Sequence, residues 1–261
     1  IKLLSNSDAE IRSSSVVALG ELGDKEAIPD ILKMLSDTDA GVRSSVINAL
    51  VKLEGKKAIP DIVKLLSDKD VSYLALNALV ELQAKEAVSD IVKLLSDKDE
   101  LIRSLAADAL KELQAKEAAF EIVQFLLYTD EGIRSSAADI LKELQAKEVL
   151  PDIVKLLSYP DEGIRSSAVD VLADLEAKDY IPEIMLLLNN SDAGIRSSAI
   201  KALFYLEANE AISDILELLN DPDAGVRSSA IEVLGYLKVK EAIPEIMRFL
   251  NDFDKNIRCS A

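Results

Sequence analysis

The feature that most constrains this chain is a repeat of 31 residues that runs through the whole sequence. Aligned on a recurring arginine, the copies follow at steps of 31 residues, except that the step from Arg43 to Ser72, where the arginine is missing, is 29 residues. Periods of this length are typical of arrays in which each copy packs only against its neighbours. Eight full periods from Arg12 to Ile257, with partial copies at both ends, fill residues 1–261 as a single array.

Each copy contains two helical patterns. In the copy that begins at Arg165, the first pattern has the apolar spacing of one helix face, with Ile164, Ala168, Val171, Leu172 and Leu175. We call this the arginine helix. The second, the proline helix, has Ile181, Ile184, Leu187 and Leu188, and a proline near its start, where the missing N–H costs no hydrogen bond. Because neither helix can bury its apolar face alone, the pattern predicts an all-α, right-handed solenoid of stacked antiparallel helix pairs.

An aspartate stands four residues before each arginine and is predicted to cap the arginine helix. We also expect each arginine to pair with such an aspartate, of its own copy or of the next, so that a structural ladder ties the copies together. Binding of an anionic ligand by the arginines is the alternative, but one arginine per period favours the ladder. The glycines two residues before the arginines are expected in tight turns. The predicted ladder comprises Arg12, Arg43, Arg103, Arg134, Arg165, Arg196 and Arg227 with Asp39, Asp99, Asp130, Asp161, Asp192 and Asp223, and the same register holds Asp8 and Asp254.

The recurring string Ala-Ile-Pro-Asp-Ile-Val-Lys-Leu-Leu-Ser-Asp, followed by Gly-Ile-Arg-Ser-Ser-Ala, resembles the HEAT-like repeat of the phycobilisome (PBS) lyase type over essentially the whole chain. The resemblance implies the solenoid fold, with the arginine helix as the second helix of each pair lining a concave face. Such repeats occur in chromophore lyase subunits, in scaffolds and in sensor regions of larger signalling proteins. The array begins at Ile1 and stops one turn into a helix at Ala261, so the sequence predicts a fragment of a longer protein.

Composition excludes several classes of function. The chain has no His, so Ser/His and Cys/His nucleophile arrangements are absent and no catalytic, metal or cofactor residue is predicted. A formal net charge of −17 argues against nucleic acid as a partner, and no apolar run is long enough to insert into a membrane. The lone Cys259 fits a reducing compartment, which predicts a cytoplasmic location.

Pairs of carboxylates stand on the arginine helices, five and nine residues after the arginine. Residues four apart share a helix side, so stacking would align the pairs in an acidic stripe made of Asp108, Glu112, Asp139, Glu143, Asp170 and Asp174. The copies nearer the C-terminus have Tyr205 and Tyr236 at the second of these positions, and tyrosines are favoured binding anchors. Two interpretations stay open: a groove that binds a basic segment of a partner, or a solvated face of an acidic protein.

The irregular third copy carries a second candidate surface. Where the other copies have Ser, Ser and Gly, this region has Tyr73, Leu74, Leu101 and Leu105. An exposed apolar spot of this kind often marks a partner site, although the four side chains could instead fill a gap left by the shortened loop.

These observations predict a non-enzymatic protein–protein interaction scaffold that presents an acidic, Ser-rich face of its arginine helices to a protein partner with a basic segment. One alternative is a subunit of a phycobilin chromophore lyase or isomerase that acts with a partner chain. The other is the sensor or regulatory repeat region of a larger signalling protein.

Overall fold

The structure, a computed structural model, describes residues 2–250 and 255–260. All regular structure within these ranges is helical, without a strand, which confirms the all-α class. The chain divides into two compact units, residues 1–121 and residues 122–261, which are described here one at a time. Within each unit, consecutive helices stack in pairs as in an α-solenoid.

The arginine helices are the long elements of the fold. Those with complete bounds in the described ranges are α1 (Ala9–Glu21), α3 (Ala40–Lys52), α5 (Ser72–Glu81), α7 (Glu100–Glu112), α9 (Glu131–Glu143), α11 (Glu162–Asp174), α13 (Ala193–Tyr205), α15 (Ala224–Tyr236) and the last described segment, α17 (Lys255–Ser260).

The proline helices are shorter, and most have a turn of 3-10 helix at one or both ends. They are α2 (Ile28–Leu32), α4 (Ile59–Lys64), α6 (Val88–Lys93), α8 (Ala119–Val123), α10 (Leu150–Leu156), α12 (Ile181–Leu186), α14 (Ile212–Glu217) and α16 (Ile243–Phe249). The 3-10 turns are Lys2–Ser5, Lys25–Ala27, Lys33–Ser36, Lys56–Ala58, Leu65–Ser67, Lys85–Ala87, Leu94–Ser96, Lys116–Ala118, Gln124–Leu127, Lys147–Val149, Lys178–Tyr180, Leu187–Asn189, Asn209–Ala211, Leu218–Asn220 and Lys240–Ala242.

Aspartates start the arginine helices. The Oδ1 atom of Asp130, for example, accepts a hydrogen bond of 3.0 Å from the Ile133 N–H and so satisfies a donor that has no partner inside the helix. Asp8, Asp39, Asp99, Asp161, Asp192 and Asp223 cap their helices in the same way. In the irregular third copy, α5 begins after Val71 without a side-chain cap. Asp254 lies outside the described residues.

The expected turn glycines are in fact helical. Gly132, for example, is the second residue of α9, and in the part of the chain that the structure describes only Gly23 among the glycines has a positive φ. Turns with positive φ lie instead at the other end of the arginine helices, one residue beyond the C-cap. Non-glycine residues occupy most of them, namely Glu54, Gln83, Gln114, Gln145, Glu176, Glu207 and Lys238.

The apolar faces predicted from the sequence form the core of each unit. Ile164 and Leu172 on α11 are buried, as is Leu175 at its C-cap, and on α12 Ile184 has no exposed surface. In unit 2, α9 packs on α11, α11 on α13 and α13 on α15, while in unit 1 α1 packs on α3 and α5 on α7. This packing holds the polar faces of consecutive arginine helices side by side within each unit.

Candidate functional site in unit 2

The ladder arginines pair with a different aspartate from the expected one. Arg196 binds Asp221, which stands 25 residues later and two residues before the capping Asp223. The Arg12–Asp37 and Arg43–Asp68 pairs have the same spacing. The capping aspartates accept backbone N–H groups at the helix start, while the aspartates two residues earlier face the arginine of the preceding copy.

The Arg196–Asp221 pair is buried and bidentate. Nε of Arg196 donates to Oδ2 of Asp221 at 2.8 Å and Nη2 donates to Oδ1 at 2.7 Å, while Nη1 donates to the backbone oxygens of Asn190 and Ser191. Burial alone would raise the pKa of Asp221, but hydrogen bonds from Arg196 and the Asp223 N–H, together with the charges of nearby arginines, lower the pKa overall. The carboxylate therefore stays ionised and neutralises the guanidinium.

Arg134 lacks such a carboxylate, because the residue 25 positions later is Tyr159. Nη1 of Arg134 still donates to the backbone oxygens of Tyr128 and Thr129, both at 2.8 Å. Nε instead donates to the Ser167 hydroxyl at 3.3 Å, and Nη2 has no acceptor among the described residues. Arg134 is only 7% exposed, so this nearly buried guanidinium has no ion-pair partner in the described part of the chain.

Arg165 repeats this arrangement one copy later, with Asn190 in the place of the aspartate. Nη1 donates to the backbone oxygens of Tyr159 and Pro160, and Nε donates to the Ser198 hydroxyl at 3.3 Å. Its Nη2 atom again has no acceptor within the described residues, and Arg165 is 6% exposed. Arg103, which is followed by Tyr128 25 residues later, has neither partner within the described residues, and its Nη1 donates only to the backbone oxygens of Asp97 and Lys98. The ladder arginines therefore differ: some face an aspartate, Arg134 and Arg165 face a serine, and Arg103 faces neither.

Two helical glycines make room for the serine-facing arginines. A Cβ atom added to Gly163 would lie 2.6 Å from Nη2 of Arg134, and one added to Gly194 would lie 2.3 Å from Nη2 of Arg165. At Gly132 and Gly225, an added Cβ would meet only the carboxylate of the capping aspartate, at 3.2 and 3.1 Å. Gly163 and Gly194 are therefore needed for the position of the guanidinium groups.

A groove lies on unit 2 between α9 and α11 and has a volume of about 580 Å³. Arg134, Gly163 and Ser167 belong to its wall, as do three carboxylates of the predicted acidic stripe: Asp139, Asp170 and Asp174. The groove therefore combines one guanidinium and several hydroxyl groups with concentrated negative charge.

The three carboxylates of the groove differ in their neutralisation. Asp174 forms an ion pair of 2.8 Å with Lys142, whereas Asp139 and Asp170 make no ion pair within the described residues. Although Asp170 remains accessible to solvent, neighbouring protein atoms remove part of its hydration, and this desolvation raises its pKa. The negative charge of Asp174 raises the pKa further, while Lys201 lowers it.

Sequence models of two repeat families match this chain. The sequence model of HEAT repeats matches residues 1–74, 66–134, 122–204 and 212–261. The chain belongs to the HEAT-repeat family. The model of the PBS lyase HEAT-like repeat matches residues 195–221, which confirms the resemblance seen in the sequence.

Solved structures similar to this HEAT chain include an engineered protein, at 21% identity and a TM-score of 0.41, with 99% of this chain and 85% of that chain covered. Another is the complex of CpcE and CpcF of phycocyanin lyase from Nostoc sp. PCC7120, at 22% identity and a TM-score of 0.43, with 91% and 92% covered. A search of curated proteins finds no match.

The remaining stripe residues of the HEAT array lie apart from the groove wall. Glu143 is exposed near the end of α9. Asp108 and Glu112 are exposed on α7 and belong to unit 1, and Asp108 forms an ion pair of 2.8 Å with Lys111 on its own helix. Asp108 and Glu112 line a smaller groove between α5 and α7 together with Glu81. The α9–α11 groove differs in that it gathers three stripe carboxylates.

The two tyrosines lie on the same register of unit 2. Tyr205 and Tyr236, at the ends of α13 and α15, are 56% and 73% exposed. Phe204 lies between them, with ring centroids 5.3 Å from Tyr205 and 5.7 Å from Tyr236. The face that the arginine helices form in unit 2 therefore has carboxylates on α9 and α11 and exposed aromatic rings on α13 and α15.

The apolar candidate lies on α5 and α7 of unit 1. Tyr73 and Leu101 are exposed, while Leu74 and Leu105 are half-buried. Exposure of the first two shows that they do not fill a packing gap. Separately, the described residues contain no group of three or more His, Cys, Asp and Glu side chains that could hold a metal ion. Nor is any described helix long and apolar enough to cross a membrane.

Sequence reasoning missed the serine-facing arginines. It placed Arg134 and Arg165 in a uniform ladder and expected the glycines in tight turns, and it predicted a Ser-rich face without a role for any single serine. One signal was present: the aspartate 25 residues after the arginine is replaced by Tyr159 and Asn190 in these copies. The aspartate is also replaced after Arg103, by Tyr128, and there the structure shows backbone acceptors only among the described residues. This signal therefore predicts the loss of the ion pair, but not the contact with a serine.

Proposed function

We propose that this HEAT array is a non-enzymatic scaffold whose arginine-helix face in unit 2 binds a basic segment of a partner protein. The observation that carries the proposal is the groove between α9 and α11, where Asp139 and Asp170 lack an ion-pair partner among the described residues. A lysine or arginine of a partner would supply the missing positive charge.

The electrostatics of Asp170 support this role. Because its pKa is raised by desolvation and by Asp174, the ionised form is held at a cost that a bound cation would offset. The net charge of −17 would in addition attract a basic partner over long range, and salt would screen that attraction. We expect the partner in the cytoplasm, in keeping with the lone cysteine.

Exposed aromatic side chains give the same face apolar contacts. Tyr205 and Tyr236 occupy, on α13 and α15, the register that Glu143 and Asp174 occupy on α9 and α11. Rigid aromatic rings contribute strongly to interfaces because they bury a large area at a small cost in side-chain entropy. A partner with a basic segment followed by apolar residues would fit this face.

The test compares two variants with the same change in charge. Asp139→Lys/Asp170→Lys reverses two charges at the groove, and the control Glu183→Lys/Asp214→Lys reverses two exposed charges on the proline helices α12 and α14. Captured proteins from the source lysate are identified and re-expressed, and binding is measured by calorimetry at low and high salt, with helical content checked by circular dichroism. We expect the groove variant to bind at least tenfold more weakly than the control.

Equal binding by the two variants would show that the groove is not the site. A Kd that does not change with salt would likewise argue against an acidic face as the determinant.

A lyase-related role is the second candidate, and the PBS lyase HEAT-like repeat at residues 195–221 is the observation that favours it. Under this proposal the chain would act as one subunit of a phycobilin lyase. Mixing the protein with bilin and apo-phycobiliprotein, with and without candidate partner chains, tests it. Covalent attachment of the bilin that depends on this chain would replace the scaffold proposal.

A further inference from the structure

The serine-facing arginines carry an inference about how a partner lies in the groove. Nη2 of Arg134 is a donor without an acceptor among the described residues, on a side chain that is 93% buried, since Arg134 is 7% exposed. The atom lies over Gly163, and both residues belong to the groove wall. Nη2 of Arg134 retains contact with solvent. If it did not, it would be a buried polar atom without a hydrogen bond, and among the described side chains Nε of Arg43 is the only such atom. A bound molecule can therefore reach it.

The carboxylates that line the groove determine which kind of acceptor can bind to Nη2 of Arg134. Glu131, Glu162 and Asp139 also line the groove, so an anion bound at Nη2 would be repelled by several carboxylates. A main-chain carbonyl oxygen accepts a hydrogen bond without adding negative charge. A peptide that contains lysine or arginine supplies this carbonyl together with a cation for Asp139 and Asp170.

The spacing of the two arginines fits an extended chain. Arg134 and Arg165 stand on neighbouring packed helices of unit 2, and packed helix axes are about 8–10 Å apart. Three residues of extended chain span about 10 Å at roughly 3.3 Å per residue. In the extended polyproline II conformation the rise is about 3.1 Å per residue with three residues per turn, so carbonyl groups three residues apart lie about 9 Å apart on the same side of the peptide, in keeping with the helix spacing.

Resting on the function proposed above, we infer that unit 2 binds the main chain of an extended basic peptide. Nη2 of Arg134 and Nη2 of Arg165 each donate a hydrogen bond to a peptide carbonyl, and basic side chains of the peptide pair with Asp139 and Asp170. The arginines thus bind the main chain of the peptide, and the carboxylates bind its basic side chains.

The test uses the full chain and two ligands of equal charge. One is the acetylated and amidated peptide Gly-Gly-Lys-Gly-Gly-Lys-Gly-Gly, and the other is cadaverine, a diamine without a carbonyl group. Gly163→Ala/Gly194→Ala places a methyl group where the guanidinium groups lie, while Gly132→Ala/Gly225→Ala is the matched control in the same helix register. Both are glycine-to-alanine changes inside helices, which favour helix formation, and circular dichroism verifies the fold.

We expect the peptide to bind wild-type protein more tightly than cadaverine does in calorimetry. The Gly163→Ala/Gly194→Ala variant should lose about a hundredfold in peptide affinity, a factor of about ten for each of the two lost hydrogen bonds to a charged donor, with its cadaverine affinity unchanged. The control variant should stay within about twofold of wild type for both ligands.

Three results would overturn the inference: no binding of the peptide by wild-type protein, equal affinity for peptide and cadaverine, or equal peptide affinity of the two alanine variants. In any of these cases, a loss of the natural partner in Asp139→Lys/Asp170→Lys would still uphold the acidic groove as a binding face. The two proposals therefore fail separately.

Discussion

Asn190 and Asp221 occupy the same position in consecutive repeats, and they differ only in an amide group in place of a carboxylate oxygen. Each accepts the backbone N–H two residues later, at 2.9 Å for Asn190 and 2.8 Å for Asp221. Yet Arg196 turns to Asp221, whereas Arg165 turns to Ser198. The charge of the carboxylate thus determines whether the buried arginine pairs with an acidic side chain or donates to a serine.

This comparison predicts opposite effects for two isosteric substitutions. Asp221→Asn leaves Arg196 without its counter-ion and should lower the free energy of unfolding by about 3 kcal/mol at pH 7, because a buried charge loses its partner. Asn190→Asp creates the missing pair for Arg165 and should raise it by up to about 1 kcal/mol, since the gain in Coulomb energy is offset by desolvation of the new charge. Chemical denaturation followed by circular dichroism measures both.

The pH dependence follows from the direction of the pKa shift. Since the pKa of Asp221 is lowered in the folded protein, its stabilisation is fully present above the unfolded-state value of about 3.9 and is lost as the pH falls through the folded value. The stability difference between wild type and Asp221→Asn should therefore be constant near neutral pH and vanish in acid. A difference that persists unchanged at pH 2 would contradict the ion-pair explanation.

At this scale the sequence predicted positions better than partners. The N-cap positions of the arginine helices could be predicted because an aspartate directly before a helical pattern usually caps that helix. The ion pair was assigned to the wrong aspartate because the loops often carry two, as in Asp37-Thr38-Asp39, and the sequence does not tell which oxygen faces the next copy. The contacts of each arginine depend on side-chain rotation, which the repeat pattern does not encode.

At the scale of the elements, the C-terminal ends of the arginine helices are strained. The residue after the C-cap has φ between 51° and 57° at seven non-glycine positions, a conformation that costs an L residue about 1 kcal/mol or more. Some of these side chains compensate by capping their own helix. Nε2 of Gln145, for instance, donates to the Lys142 oxygen at 2.9 Å.

Two glycine substitutions distinguish the cost of the positive φ from the stabilisation by the side-chain hydrogen bond. Glu176 (φ 52°) makes no side-chain hydrogen bond within the described residues, so Glu176→Gly should raise the free energy of unfolding by about 1 kcal/mol. Gln145→Gly relieves similar strain but removes the amide hydrogen bond, so its gain should be smaller, about 0.5 kcal/mol. Denaturant midpoints of the two variants measure the difference.

Destabilisation by both substitutions would show that the unfolded-state entropy of glycine outweighs the backbone strain. The sequence did not predict these turns, because glutamine and glutamate give no local signal for a positive φ. Only Gly23, the glycine at this register in the first copy, carries such a signal.

At the scale of the whole molecule, the fold could be predicted because every copy repeats the same apolar spacing, and eight copies average out local departures. The candidate site could not be predicted to the same degree, since it depends on copies that differ from their neighbours. The repeat also gives no signal for the division into units at residues 121 and 122.

The net charge of −17 predicts how stability responds to salt. Between 0.01 and 0.1 M NaCl the screening length falls from about 30 to about 10 Å, which weakens repulsion among the 47 acidic side chains. Exposed ion pairs such as Lys64–Asp61 weaken as well, but each contributes about 1 kcal/mol or less, and buried pairs such as Arg196–Asp221 are screened little. We therefore expect the thermal midpoint to rise by a few degrees over this range.

A variant with less negative charge is the control for this effect. In Glu183→Lys/Asp214→Lys each substitution replaces a negative charge with a positive one, so the formal net charge goes from −17 to −13 and less repulsion remains to be screened. Its midpoint should be higher at low salt and should rise less with NaCl. A midpoint that falls with salt in both proteins would mean that local ion pairs, rather than net repulsion, dominate the electrostatics of this array. The acidic groove would then have to owe any affinity for a basic peptide to its own few carboxylates.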